Sequence, residues 1–597
     1  MRRILPLLLV LLGCGAARPA LRSPSASPAW QPLSSAVFES ARDRHALVLL
    51  SLQADWCHFC HVMNEETFAD PEVQEVLARD FVTVREEADR RPDLVARWGL
   101  YGWPATIVLD ENGEQLLALR GYRERAAFLA ILRTLMEDRD AGRVPGCSLP
   151  DALRGALPTP SFDGALEDLR TLAEAQADAA YDEEGAGWGR IQRYPFGALA
   201  EAALLRAHVR GPEIWRERAL ASLDRYVTLI DPVWGGIYQY SVGGDWDHPH
   251  YEKLADVQAG VLSSLAAALE TTGDSRWREA ADAILRYLGE HLRSEEGAFF
   301  VSQDADVRDG GPAIAGAMFY ALDAEGRGAL GREPRIDRHL DADVNGRSIA
   351  ALARYGFAAR DARALAWAED AADAIWESHC SDDGGCAHDV GDPRRHLSDQ
   401  AAMLAGLVEL YQVSAPGEGA RHLARAVSLA AFIRARLRED DGGLRATVPI
   451  EGELNLTSEV RPFLPGAVAA RALLLLDRLD EEGGHADVAH PALLALGDGL
   501  PRQGRIVGEL LLALDLAIEG TLRLTLVGEA RDPRTLALLD AVARAGEPRR
   551  VLEQVLPSTS RYGDPGEPSL FICGTDSCSP PIYDPSDVAS ALIGFRP

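Results

Sequence analysis

Two cysteines two residues apart, in Cys57-His58-Phe59-Cys60-His61, stand where an apolar strand-like run (46–52) gives way to a helical pattern (65–77). A CxxC placed where a strand feeds a helix is the geometry of a redox dithiol. The helix start offers orphan N–H groups and a positive dipole end, and both favour thiolate over thiol. His58, between the two thiols, adds positive charge and depresses Cys57 further. Cys57, at the more exposed N-terminal edge, is expected to attack, with Cys60 as the resolving thiol. The same five letters also spell the c-type haem attachment motif. A plain disulfide closing a small loop is a third reading. A zinc site needs a second ligand pair at suitable spacing, which is missing, so neither a metal nor a cofactor is expected.

The residues that follow favour the dithiol. Phe81-Val82-Thr83-Val84 reads as a strand, and Gly102-Trp103-Pro104 opens another that runs to Leu109. Asn112-Gly113 then turns a hairpin into 114–119. A proline opening a strand about forty residues after a CxxC is where thioredoxin-like folds keep a cis-proline beside the dithiol. Pro104 is therefore expected to border a substrate groove. This α/β unit spans 36–140, and a Gly- and Pro-containing linker follows to about 160.

Upstream, Arg2-Arg3 precedes nine apolar residues, too few to span a bilayer but shaped like a signal-peptide core. Leu11-Leu12-Gly13-Cys14 resembles a bacterial lipobox, which makes Cys14 the lipidated N-terminus. Gly15 after it resembles lipoproteins sent to the outer membrane. An ordinary secretory peptide cleaved near Ala16-Ala17 is the alternative. Residues 1–20 read as the signal and 21–35 as a Pro-, Ser- and Ala-rich tether. Either reading exports the chain to the periplasm. A net charge of −30 excludes a nucleic-acid partner and electrostatic docking on anionic lipid. Membrane contact is then expected through the lipid alone. Eight cysteines fit an oxidising compartment. Cys380/Cys386 and Cys573/Cys578 are close enough to pair, although spacing does not fix connectivity, and Cys147 is left over as a free thiol expected to be buried.

From 161 to 500 the pattern is helical. About twelve amphipathic segments alternate with short loops, and an acidic, Gly-containing, then apolar signature recurs between pairs of them. It is clearest in Trp234-Gly235-Gly236-Ile237, Glu296-Gly297-Ala298-Phe299, Asp383-Gly384-Gly385 and Asp441-Gly442-Gly443-Leu444. Twelve helices in hairpins point to an all-α six-hairpin (α/α) toroid, with a linear solenoid as the rival. Beyond 508, short strands and helices form a small C-terminal α/β appendage. The chain is thus multidomain.

The long toroid loops carry polar residues that a solvated loop does not need. His250, Glu252 and Asp256 crowd one helix start, with Glu252 and Asp256 one turn apart. Asp304 and Asp306 follow an aromatic run. Asp343, Asn345 and Asp399 open further helices, as cavity groups or as N-caps. Paired carboxylates in an aromatic cup suit glycoside chemistry or sugar epimerisation.

The chain resembles a widespread family that joins an N-terminal thioredoxin-like domain to a six-hairpin toroid. Its animal member is the spermatogenesis-associated thioredoxin-like protein. The likeness rests on Cys57-His58-Phe59-Cys60-His61-Val62-Met63, Gly102-Trp103-Pro104, Pro249-His250-Tyr251-Glu252-Lys253-Leu254, Asp304-Ala305-Asp306 and Asn345-Gly346. Phe59 and Val344 stand where that family usually has tryptophan. Two function classes follow. One is an exported thiol–disulfide oxidoreductase acting on protein thiols or disulfides, with a toroid that binds a glycan or a partner. The other is a carbohydrate-active enzyme working in the toroid, beside a third possibility of a non-catalytic scaffold.

Overall fold

The computed structural model describes residues 29–149, 162–451, 456–457, 460–563 and 565–595. Cys14, the signal stretch and most of the tether lie outside the described residues. Among these residues no helix is long and apolar enough to cross a membrane.

The first unit is a four-stranded sheet in the order β2-β1-β3-β4, with β1 Leu47–Gln53, β2 Phe81–Glu87, β3 Ala105–Leu109 and β4 Gln115–Arg120. β1 and β2 run parallel, while β3 is antiparallel to both β1 and β4. β1 is central and buried at every position, which is why its sequence is apolar apart from Ser51 and Gln53 rather than alternating. One face is covered by Phe128, Leu132 and Leu135, the other by Phe38, Leu94 and Trp98.

The helix expected over 65–77 is broken. A helical turn, His58–Val62, passes into a π turn, Met63–Thr67, and a new helix starts at Pro71. Asp70 dictates the break, because its carboxylate caps the Glu72 and Val73 N–H groups. Pro71 then takes the first helical position, where a missing N–H costs nothing.

The helical region closes on itself. Its inner helices are Gly197–Arg210, Ala255–Thr272, Ala342–Ala359, Leu397–Val413, Phe463–Asp477 and Gly508–Glu519. Each packs on the next, and the last packs on the first. Six outer helices lie behind them: Leu166–Ala180, Glu213–Val227, Ser275–Tyr287, Ala362–His379, Ala420–Phe432 and Ala486–Ala495. The closed ring excludes the linear solenoid. The twelfth helix, Gly508–Glu519, lies beyond the boundary at 500 drawn from the sequence. Small residues let the inner helices approach closely: a Cβ at Gly197 would collide with the Gly260 carbonyl, and one at Gly346 with the Ala402 backbone.

The recurrent loop signature has a structural cause. Gln258, Asn345 and Gln400, near the starts of three consecutive inner helices, each turn a side-chain amide onto the loop residue that follows the glycines. Gln258 accepts from Ile237 N–H and donates to its carbonyl. Asn345 does the same with Phe299 and Gln400 with Cys386. All three are fully buried. Each clamp satisfies a buried N–H and C=O that have no strand partner.

The C-terminal appendage is a three-stranded sheet in the order Arg550–Val555, Leu522–Val527, Ser569–Cys573, backed by helix Pro533–Ala545. Phe357 of the toroid joins its core. Disulfides join Cys380 to Cys386 and Cys573 to Cys578. Cys147 is free, but exposed rather than buried, because it sits in the turn after helix Arg125–Asp140.

Candidate active site at the domain interface

Cys57 and Cys60 form a disulfide at the start of the helical turn His58–Val62. Cys57 is the N-cap, and its Sγ accepts from Cys60 N–H at 3.1 Å. The Trp103–Pro104 peptide is cis. Since Ala105 pairs with Leu52, Pro104 lies beside the end of β1 from which the dithiol issues. Cys57 is the less enclosed of the two sulfurs, yet it is only 5% exposed. Both sulfurs are thus buried in the docked arrangement.

The toroid loops reach the CxxC directly. His58 Nδ1 lies 2.8 Å from Asp306 Oδ2, and His61 Nε2 lies 3.3 Å from Asp304 Oδ2. Glu252 Oε1 stands 3.5 Å from His58 N–H, at the N-terminal end of the same turn. His250 stands 3.7 Å from the other Glu252 oxygen, and its ring lies 5.9 Å from that of Phe59. Arg335–Asp55 at 3.0 Å and Arg308–Glu65 at 2.8 Å complete the contact. The two groups of residues found separately in the sequence are thus one site.

The electrostatics follow from this pairing. The hydrogen bond to Asp306 raises the His58 pKa, against the burial that lowers it. Burial would raise Asp306, but His58, the Gly316 N–H and Arg308 together hold it at about 2. The pairing with Asp306 thus favours the protonated imidazole beside Cys57, the form that supports a thiolate. Glu252, Asp304 and Asp306 bring carboxyl groups to the CxxC turn, and a carboxylate close to a thiol opposes its ionisation. Glu252 Oε2 is buried and has no hydrogen-bond partner among the described residues.

Asp304 and Asp306 are positioned by a small sheet of Lys253–Leu254, Ser302–Gln303 and Ile336–Asp337. Asp304 N–H bonds the Arg335 carbonyl at 2.8 Å, and Asp306 N–H bonds Asp304 Oδ1 at 3.0 Å. Glu252 belongs to the loop before that sheet, since its helix begins only at Ala255. The helical pairing expected of Glu252 and Asp256 does not form. Asp256 instead binds Arg347 at 2.7 Å. Asn345 is one of the three amide clamps, with its polar atoms committed to backbone. Asp343 and Asp399 are not N-caps, because Asp341 and His396 hold those positions.

Asp399 meets a residue that the sequence reading missed. His388 Nδ1 lies 2.7 Å from Asp399 Oδ1 and 3.8 Å from Asp343 Oδ1, and His388 Nε2 lies 3.3 Å from Asp341 Oδ2. His388 Nε2 also reaches the backbone carbonyl of Asp89, in the thioredoxin-like unit. Asp89 in turn accepts from Trp56 Nε1 at 2.7 Å, immediately before the CxxC. Burial lowers the His388 pKa, but Asp399 and Asp341 outweigh it and hold the pKa well above the ordinary value. Burial raises Asp399 and Asp89. Cys386-Ala387-His388 follows the same glycine signature that leads to Asp304, and that was the available signal.

Residues 16–137 match the family Thioredox_DsbH, described as protein of unknown function, DUF255. The N-terminal unit is a domain of that family. Over 304 residues, 46% of this chain and 39% of the other, the chain is 25% identical to spermatogenesis-associated protein 20 of Homo sapiens. The match thus spans about two-fifths of that relative's length. Over 91 residues, 14% of this chain and 15% of the other, it is 40% identical to the thiol:disulfide interchange protein DsbD of Ralstonia nicotianae. Among solved structures, cellobiose 2-epimerase from Bacillus thermoamylovorans aligns with a TM-score of 0.43 at 10% identity, covering 55% of this chain and 86% of its own. An unsaturated glucuronyl hydrolase specific for heparin aligns with 0.43 at 14%, covering 59% and 97%. The toroid itself rests on this chain's own closed ring of helix contacts.

Proposed function

We propose that the protein is a thiol–disulfide oxidoreductase whose dithiol works at the mouth of its own toroid. The observation that carries this reading is the engagement of His58 and His61, on either side of Cys60, by Asp306 and Asp304. By residue type those carboxylates suit sugar chemistry. Here they are 6% and 4% exposed and set against the histidines of a redox motif. That favours the redox reading over a glycosidase or epimerase in the toroid. In the reaction, the Cys57 thiolate attacks a substrate disulfide and one substrate sulfur leaves as thiolate. Cys60 then attacks Cys57 Sγ, the second substrate sulfur leaves, and two electrons have passed to the substrate. The reverse sequence oxidises a dithiol. Export to an oxidising compartment is part of the proposal. It is supported by the two further disulfides and the signal-like stretch at 4–12. Lipid attachment at Cys14 belongs to the same proposal.

The test equilibrates the protein with glutathione buffers and traps free thiols by alkylation. One two-electron transition is expected. Cys57→Ser should abolish disulfide exchange, and Cys60→Ser should accumulate a mixed disulfide with substrate. A Cys57–Cys60 pair that stays oxidised across the whole range, or exchange that survives Cys57→Ser, overturns the reading.

A further inference from the structure

We propose that Asp343, His388 and Asp399 bind a divalent transition-metal cation inside the toroid, beneath the thioredoxin-like domain. One ligand atom from each lies within 4.8 Å of the others, and all three residues are buried. A bare cluster of this kind can be an internal ion pair, with His388 as the cation. Further observations point beyond that. Asp399 is fully buried, yet its Oδ2 has no hydrogen-bond partner among the described residues. Asp341, 1% exposed and facing the same imidazole, leaves Oδ1 unpartnered too. His396 has its ring centroid 5.8 Å from that of His388 and both ring nitrogens without a partner. Buried carboxylate oxygens without donors are costly, and a cation satisfies them.

The geometry around His388 fits a ligand. Its Nε2 faces the Asp89 carbonyl, and a ligating histidine ordinarily donates its second ring N–H to such a group. That fixes the tautomer and leaves Nδ1, the atom facing Asp399 and Asp343, as the ligand. Arg347 holds Asp343 Oδ2 at 2.7 Å, while Asp343 Oδ1 accepts from Val344 N–H at 2.8 Å and turns its remaining lone pair toward the cluster, 3.8 Å from His388 Nδ1. Two carboxylates and a neutral imidazole offset a divalent charge. The mixed nitrogen and oxygen set suits Zn²⁺ or Mn²⁺ better than Ca²⁺, which prefers oxygen ligands alone. Binding replaces the proton on His388 Nδ1, so the N–H bond breaks, an N–metal bond forms and one proton passes to buffer.

The test uses the untagged full chain, oxidised at Cys57–Cys60 and carrying Cys14→Ser and Cys147→Ser so that no thiol competes. Zn²⁺, Mn²⁺ and Ca²⁺ are titrated separately by calorimetry after chelator treatment, in two buffers of different ionisation enthalpy. The expected result is one equivalent of Zn²⁺ or Mn²⁺ with proton release, affinity that falls as the pH is lowered, and weaker Ca²⁺ binding. Asp399→Asn and His388→Gln should each lose at least tenfold in affinity, while Asp245→Asn at the surface should not. If either variant misfolds, the wild-type protein still decides. A rise in melting temperature with Zn²⁺ or Mn²⁺, reversed by chelator, supports the site. Failure of both cations to bind or to shift melting overturns it, as does unchanged affinity in a folded Asp399→Asn protein. Loss of disulfide exchange in Cys57→Ser bears only on the proposed redox function.

Discussion

Replacing Asp306 with asparagine isolates the contact that ties the dithiol to the toroid. The substitution keeps the shape and removes the charge 2.8 Å from His58 Nδ1. A charged hydrogen bond contributes about 1.5–3 kcal/mol when enclosed. His58 is 38% exposed, and solvent screening brings its share down to about 1 kcal/mol. The His58 pKa, raised by Asp306 in the wild type, should therefore fall in Asp306→Asn, helped by the burial that opposes protonation. The sign with pH follows. His58 is held above its ordinary 6.5, so its contribution to docking is complete below 6.5 and fades as pH rises through the raised value. Asp306 is held at about 2 against an ordinary 3.8, so its contribution is complete above 3.8 and fades as pH falls through about 2. Docking is tightest between these limits. The assay is an NMR titration of ¹³C-labelled histidine rings, with His58 assigned by His58→Gln. A His58 titration unchanged in Asp306→Asn would refute the ion pair and the docked arrangement built on it.

Asn345→Leu should cost about 2–3 kcal/mol by leaving the Phe299 N–H and carbonyl unpaired in the core, read as a lower urea midpoint with unchanged slope. Gly346→Ala forces the inner helices apart and should lose about 1–3 kcal/mol in the same assay. Lys253→Met strands Asp231, now 2.8 Å from Nζ with both side chains fully buried, and should destabilise by about 3–5 kcal/mol; a smaller loss would show that Arg327 alone satisfies Asp231. Opening Cys380–Cys386 with Cys386→Ala releases a six-residue separation, and its loop entropy sets a loss of about 2 kcal/mol, measured with and without reductant.

The fold was largely legible because its signals are local. β1 read as a buried strand, Asn112-Gly113 as a turn, and the glycine signature as hairpin punctuation. What failed was long-range. Nothing near Glu252 or Asp306 in the sequence says that His58, 194 and 248 residues earlier, is their partner. His388 was invisible for the same reason, since its partners come from two helix starts and a different domain. Asn345 was misread because a polar residue at a helix start beside a long loop resembles a cavity group or an N-cap. Only the repetition at Gln258 and Gln400 reveals it as a backbone clamp. The Asp70-Pro71 break was in the sequence, but the apolar periodicity through Val73 and Leu77 masked it.

On the proposed redox reading, the docked interface also couples thiol chemistry to shape. Any free energy by which the toroid prefers the disulfide to the dithiol appears in full in the reduction potential, because the two equilibria share one cycle. A preference of about 1.4 kcal/mol moves a two-electron couple by about 30 mV. Two opposed effects set its direction: carboxylates near the CxxC turn disfavour a thiolate, while Asp306 supports one by raising the His58 pKa, so the sign of the shift reports which prevails. Whatever pulls the toroid loops away would then retune the same pair of cysteines, with no change to either cysteine.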